Sequence, residues 1–166
     1  QVEQWLSMNK AKIFDEWKAA VALNHIQSFN FVYANRHGDI HFIHNAQLPV
    51  RAPGWNWQQY LPGDRSDLIW QGYHPTSALP QVTNPESGFL HSANQTPFNV
   101  TEAQDNPQPN TVPTDGGWQT RMTNRATRGL ELFADFEQIS FDEAWQLKHD
   151  NSYSVNYRGM TFLSEV

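Results

Sequence analysis

Apolar positions recur at three- and four-residue spacing between residues 9 and 24, at Ile13, Phe14, Trp17, Ala20 and Val21. The period predicts a helix there, with Ser7 or Asn9 as its cap. The pattern then changes. Phe29-Asn30-Phe31-Val32-Tyr33-Ala34 is rich in aromatic and β-branched residues, Asn35-Arg36-His37-Gly38-Asp39 supplies turn residues, and Ile40-His41-Phe42-Ile43-His44 returns. Together they predict a β-hairpin. Residues 45–83 keep no period and read as a long, mostly irregular excursion, of a kind that compact domains rarely keep without a functional reason. Trp55, Trp57, Trp70 and Tyr73 are expected to pin it to the body by their buried area. Asn84-Pro85 and Ser87-Gly88 punctuate the backbone and predict a short apolar strand between them and Asn94, delivering that asparagine to a loop. After a second irregular stretch, 99–120, helices resume near Thr123, with Leu130, Phe133 and Phe136 on one side. A further helix begins at Ser140, where Ser140 and Glu143 form a capping box ahead of Ala144, Trp145 and Leu147.

Composition narrows the picture. The 166 residues suffice for one sizeable core, so residues 1–166 are read as a single domain of mixed α+β class. A net charge of −6 argues against nucleic acid as partner, because no basic face is there to release counterions. No run approaches the roughly 20 apolar residues that span a bilayer, so no membrane partner is expected. Cysteine is absent, which removes a disulfide framework, a thiol nucleophile and any Cys-based metal site. Gln1-Val2-Glu3 shows neither an initiator Met nor a leader, and the chain reads as though cut from something longer.

Among polar residues, Asn94 has the chemistry of most interest. A fixed amide donates a hydrogen bond without carrying charge, which suits an oxyanion formed during acyl transfer. The alternative is a turn asparagine before Gln95-Thr96-Pro97. His37, His41 and His44 suggest a metal, yet positions 41 and 44 of a strand point to opposite faces, so no metal site is assigned. Asn99-Val100-Thr101 fits a glycosylation sequon, a frequent accidental match. Trp55, Trp57, Trp70 and Trp118 beside Asn and Gln leave a carbohydrate-binding module as an alternative reading; the helices at both ends count mildly against it.

Four runs, in order, resemble the β-chain of the penicillin acylase (penicillin amidase) family of N-terminal-nucleophile hydrolases. Phe29 to Asn35, continuing through Gly38-Asp39-Ile40, resembles the family hairpin N-x-x-Y-A-D-x-x-G-N-I, with the acidic and amide turn positions exchanged between Asn35 and Asp39. Trp70-Gln71-Gly72-Tyr73-His74-Pro75, Leu79-Pro80-Gln81-Val82 and Asn84 to Phe89 resemble W-x-G-x-x-P-x-x-x-x-P-x-V-x-N-P-x-S-G. Asn94-Gln95-Thr96-Pro97 is similar to N-N-S-P, and Asn124-Arg125 to the D-R that opens a family helix. The likeness covers roughly residues 5 to 150.

The resemblance implies part of an αββα four-layer sandwich and an amidohydrolase that cleaves an acyl group from an amine through an acyl-enzyme. The serine that starts the family's β-chain, with its own α-amine as base, has no counterpart here, since Gln1 ends in an amide. The implied partners are therefore the missing β-chain segment and the α-chain of the same precursor, plus a small acylated amine as substrate. The piece alone is expected to be inactive and, with cut strand edges, to self-associate. By resemblance Asn94 is an oxyanion donor, and Arg125 stands beside the nucleophile or else forms an ordinary salt bridge. Asn30 touches substrate or ties down a loop. Phe29 and Trp5 line the acyl pocket or serve only as core. Some family members hold a structural calcium, mostly through ligands outside this chain, and Asp115 lies near one matching region. No cofactor is expected in the chain itself; periplasmic or extracellular placement follows from the family alone.

Overall fold

A computed structural model describes residues 1–134 and 136–160. Helices α1 (Val2–Lys10) and α2 (Phe14–Val21) precede strands β1 (Ser28–Ala34), β2 (Ile40–Ala46) and β3 (Gln81–Thr83); α3 (Asn124–Ala134) and α4 (Phe141–Lys148) follow. The class is mixed α+β, as expected. The strands form one antiparallel sheet in the order β1-β2-β3, with Phe31 opposite Ile43 and Phe42 opposite Val82. The implied four layers reduce, among the described residues, to one helical layer on one sheet.

The single helix expected over 9–24 is two helices. Ala11 turns extended (φ −59°, ψ 130°), and Ile13 caps α2 in extended conformation, with the Glu16 carboxylate accepting the Lys12 N–H at 2.8 Å. Neither Ser7 nor Asn9 caps; both lie inside α1. Phe14, Trp17, Ala20 and Val21 do form the inward stripe, but Ile13 points to solvent, 55% exposed. A buried polar residue joins the two helices. Gln4 donates to the Val21 carbonyl (3.1 Å) and accepts from the N–H groups of His25 (2.7 Å) and Ile26 (2.9 Å), closing the α2 C-terminus against the entry to β1.

Strand alternation then sorts the hairpin into two faces. Phe29, Phe31, Tyr33, His41, Ile43 and Asn45 share one face, and the helices cover it: Met8, Trp17, Ala20, Val21, Ile26, Phe31 and Ile43 form the core. Trp17 meets Phe31 edge-on, and Phe14 stacks on Tyr33. The opposite face presents Asn30, Val32, Phe42, His44 and Ala46, with Phe42 fully buried. Asn35 builds the hairpin turn, accepting from His37 and Asp39 N–H through its side chain and donating to the Asp39 carboxylate at 2.7 Å.

The excursion 45–83 is more ordered than expected. Pro49 and Tyr73 form a bridge, His74 N–H donates to Leu48 and Val50 N–H to Gly72, and the segment ends as β3. Trp70 and Tyr73 remain about half exposed, whereas Trp55 and Trp57 are half-buried and Trp57 donates its indole N–H to the Ala52 carbonyl. Backbone pairing thus holds the segment beside only part of the expected aromatic burial. Residues 89–93 form no strand. The strand lies before Asn84, whose positive φ (48°) ends it and whose side chain accepts the Ile40 N–H at 2.8 Å. The two C-terminal helices start as expected: Thr123 Oγ1 accepts from Ala126 N–H, and the Ser140–Glu143 capping box is complete. Leu130 and Phe133 lie in α3, whereas Phe136 lies beyond its end.

Candidate active-site cleft

The sheet face away from the helices forms the floor of a cleft of about 870 Å³. Ser28, Phe29, Asn30, Val32, His44 and Ala46 line it from β1 and β2; Ser92, Asn94, Gln95 and Pro97 line it from one loop and Trp118 from another. The hairpin thus sets a rigid floor beneath loops that carry polar groups. Asn30 sits between the two: its Oδ1 meets His44 Nδ1 at 2.6 Å and its Nδ2 donates to Ser92 Oγ at 3.3 Å. The side chain ties down the neighbouring loop while facing the cleft. Burial holds the His44 imidazole below its ordinary pKa, favouring the neutral ring.

Asn94 occupies the left-handed region at φ 60°, a conformation Asn tolerates better than most side chains. Arg125 Nη2 donates to Asn94 Oδ1 (3.0 Å) and to the Ala93 carbonyl (3.1 Å). A guanidinium can only donate, so the oxygen of Asn94 must face it and the amide NH₂ points elsewhere. Among the described residues no carboxylate lies within ion-pair distance of Arg125. Arg125 borders the Asn94 loop from a second groove, of about 690 Å³, between that loop and the C-terminal helices.

Phe29, Asn30 and Asn94 therefore border one cleft, Phe29 only at its rim because its side chain lies on the helix-facing side of the sheet. Trp5 does not line it; it meets Phe29 and Phe31 edge-on from α1, at centroid distances of 5.8 and 5.4 Å. Trp118 closes one wall, edge-on to His44, with its indole N–H donating to the Pro113 carbonyl at 2.8 Å. The sequence weighed His44 only as a metal ligand and Trp118 only as a sugar-stacking surface, and gave Gln95 no role. The alternation of β2 placed His44 on the face opposite His41, but nothing in the pattern said which face carried the cleft.

Of the remaining candidates, His41 is buried against Phe14 and Trp17, and burial followed by the charge of Lys18 pushes its pKa down to about 4. Among the described residues no group of three or more His, Asp or Glu side chains converges. Burial pushes the Asp115 pKa up, but hydrogen bonds from Arg51 N–H and His74 outweigh it and hold the carboxyl below its ordinary value. The sequon is closed: Thr101 is buried and donates its hydroxyl to the Phe89 carbonyl, and Val100 is fully buried. No described helix is long and apolar enough to cross a membrane.

Comparison with known proteins gives the cleft its context. Penicillin G acylase of Escherichia coli is 31% identical over 93 residues, which is 56% of this chain and 11% of that protein. The solved structure of a thermostable penicillin G acylase from Alcaligenes faecalis superposes with a TM-score of 0.71 and 26% identity, covering 98% of this chain and 27% of that one. The chain thus spans about a tenth and a quarter of these relatives, and the carbohydrate-binding alternative finds no support in them. The penicillin amidase family model matches residues 1–165; the chain belongs to the penicillin amidase family.

Proposed function

We propose that this chain is the part of an N-terminal-nucleophile amidohydrolase that supplies an oxyanion donor and one wall of the acyl pocket. The single observation that supports this best is the Asn94–Arg125 pair. Arg125 holds the carbonyl end of the Asn94 amide, which leaves the Nδ2 hydrogens free to donate. In the reaction, a nucleophile from another segment attacks the acyl carbon, and the carbonyl oxygen takes up negative charge. Asn94 Nδ2 donates to that oxygen, and Arg125 increases the donor strength of the amide while contributing positive charge nearby. Collapse expels the amine and leaves an acyl-enzyme; attack by water regenerates the nucleophile and passes through the same oxyanion a second time.

Phe29 borders the cleft at its rim, its ring on the helix side of the sheet and edge-on to Trp5, and Asn30 fixes the loop above the floor. Val32 and Trp118 give the cleft itself an apolar and aromatic lining, which suits an apolar acyl group. Two relatives are penicillin G acylases, so an arylacetyl amide is the first substrate class to examine. The remaining β-chain, an α-chain and an exported location belong to the same reading.

The test is acyl release by the complete precursor against chromogenic phenylacetyl and fatty-acyl amides, with mass spectrometry following precursor cleavage. Release by the processed protein, and none by residues 1–166 alone, is the expected result. Full processing with no release from any amide would overturn the reading.

A further inference from the structure

The loop that presents Asn94 is held from inside by a buried amide. Gln95 Oε1 accepts the Ala93 N–H at 2.5 Å, and its Nε2 faces His91 Nδ1 (3.0 Å), the His91 carbonyl (3.1 Å) and the Asn99 carbonyl (3.0 Å). An N–H only donates and a carbonyl only accepts, so the orientation of this amide is fixed. His91 Nδ1 is then an acceptor, and its ring is the neutral tautomer with the proton on Nε2. The His91 N–H closes the loop by donating to the Val100 carbonyl at 2.8 Å.

His91 also fastens the loop to α3. Its ring lies over Gly129, where a Cβ would come within 2.6 Å, and edge-on to Phe133. Gly129 is four residues beyond Arg125, one turn along the same helix face. Nε2 is buried beside the Ala126 backbone without reaching hydrogen-bond geometry. One loop is thus fixed to one helix at two neighbouring points, His91 on Gly129 and Asn94 on Arg125.

We propose that Gln95 and His91 are positioning residues for the oxyanion donor. Gln95 holds the loop closed with Asn94 in the left-handed region, and His91 sets its height over α3 so that Asn94 meets Arg125. This rests on the reading of Asn94 as that donor. A non-glycine residue at positive φ persists only where its surroundings over-determine it, and the Gln95 bonds to Ala93, His91 and Asn99 do so on both sides of Asn94.

The experiment compares the complete processed protein with Asn94→Ala, Gln95→Leu and Gln95→Glu, reading kcat and KM separately. Misplacing a donor by about 1 Å costs up to about 100-fold, so Gln95→Leu is expected to lower kcat about 10- to 100-fold with KM little changed. Gln95→Glu keeps the acceptor for Ala93 N–H but sets a carboxylate oxygen against two carbonyls and the unprotonated His91 Nδ1. Protonated, it donates again; the ratio of its kcat to that of the wild type should therefore rise as pH falls from about 8 to about 5. His91 within the loop and Arg125 from α3 are the other ionisable groups facing it, and both are common to the two proteins. A kcat within twofold of wild type for Gln95→Leu, or a Gln95→Glu ratio independent of pH, would overturn the proposal. If Asn94→Ala is slow and Gln95→Leu is not, positioning alone fails. If Asn94→Ala is itself as fast as wild type, the oxyanion reading fails and takes the positioning proposal with it.

Discussion

Arg125 Nη2 and Asn94 Oδ1 meet at 3.0 Å across 31 residues of chain. The contact joins the first turn of α3 to a loop lining the cleft, and it decides which end of the asparagine amide is free. Arg125 also holds the Ala93 carbonyl, so the same guanidinium restrains the backbone just before Asn94.

Replacing Arg125 tests that coupling. Arg125→Met removes two charge-assisted hydrogen bonds, each worth about 1.5–3 kcal/mol. A fall in kcat of about 10- to 100-fold is expected, with Arg125→Lys only partly restoring it because an ammonium lacks the planar fork. Steady-state kinetics on processed protein check this; an Arg125→Met enzyme with unchanged kcat would contradict it.

Phe29 is expected to set acyl preference. Phe29→Ala removes the edge-on contact with Trp5 that supports the rim of the cleft. Loss of such a contact, about 1–2 kcal/mol, raises KM for phenylacetyl amides about 5- to 30-fold and favours longer aliphatic acyl groups. An unchanged ranking across the acyl panel would remove Phe29 from the pocket.

Gln4 carries a stability prediction. Gln4→Met fills similar volume but leaves the His25 and Ile26 N–H groups without their acceptor, while the Val21 carbonyl keeps only the Asn24 N–H as donor. A loss of about 2–4 kcal/mol is expected in urea unfolding. Stability equal to wild type would show that water replaces the amide at no cost.

His41 gives a pH signature. Its folded pKa of about 4 lies below the ordinary 6.5, so the unfolded chain binds more protons between those values. Stability is then fully present above about pH 6.5 and falls toward pH 4, by at most about 3 kcal/mol from this one group. Burial of His44 and His91 acts in the same direction. Urea midpoints from pH 7 to 4, for wild type and His41→Gln, check it: the variant should lose less stability on acidification. Parallel curves would contradict the assignment.

These elements also show what local sequence carries. The hairpin was legible because period-two alternation and an Asn-to-Asp turn agree with one another, and the Ser140 capping box because its two bonds are local. The break between α1 and α2 was not, and neither was the role of Gln4, a polar residue whose burial is set by partners about twenty residues away. Strand β3 has three residues and exists only through pairing with β2. Asn94 was singled out as a residue, but its presentation was misread. Not a strand end but the buried Gln95 amide shapes the loop, and a glutamine between Asn and Thr gives no sign of burial.

Single-turnover acylation of the processed protein shows whether Asn94 Nδ2 stabilises the oxyanion. With a chromogenic phenylacetyl amide, Asn94→Ala is expected to slow acylation about 10²- to 10³-fold, or roughly 3–4 kcal/mol, while precursor cleavage and substrate affinity stay as in wild type. A slowing of less than tenfold, with cleavage complete, would contradict it and leave Asn94 as a turn residue.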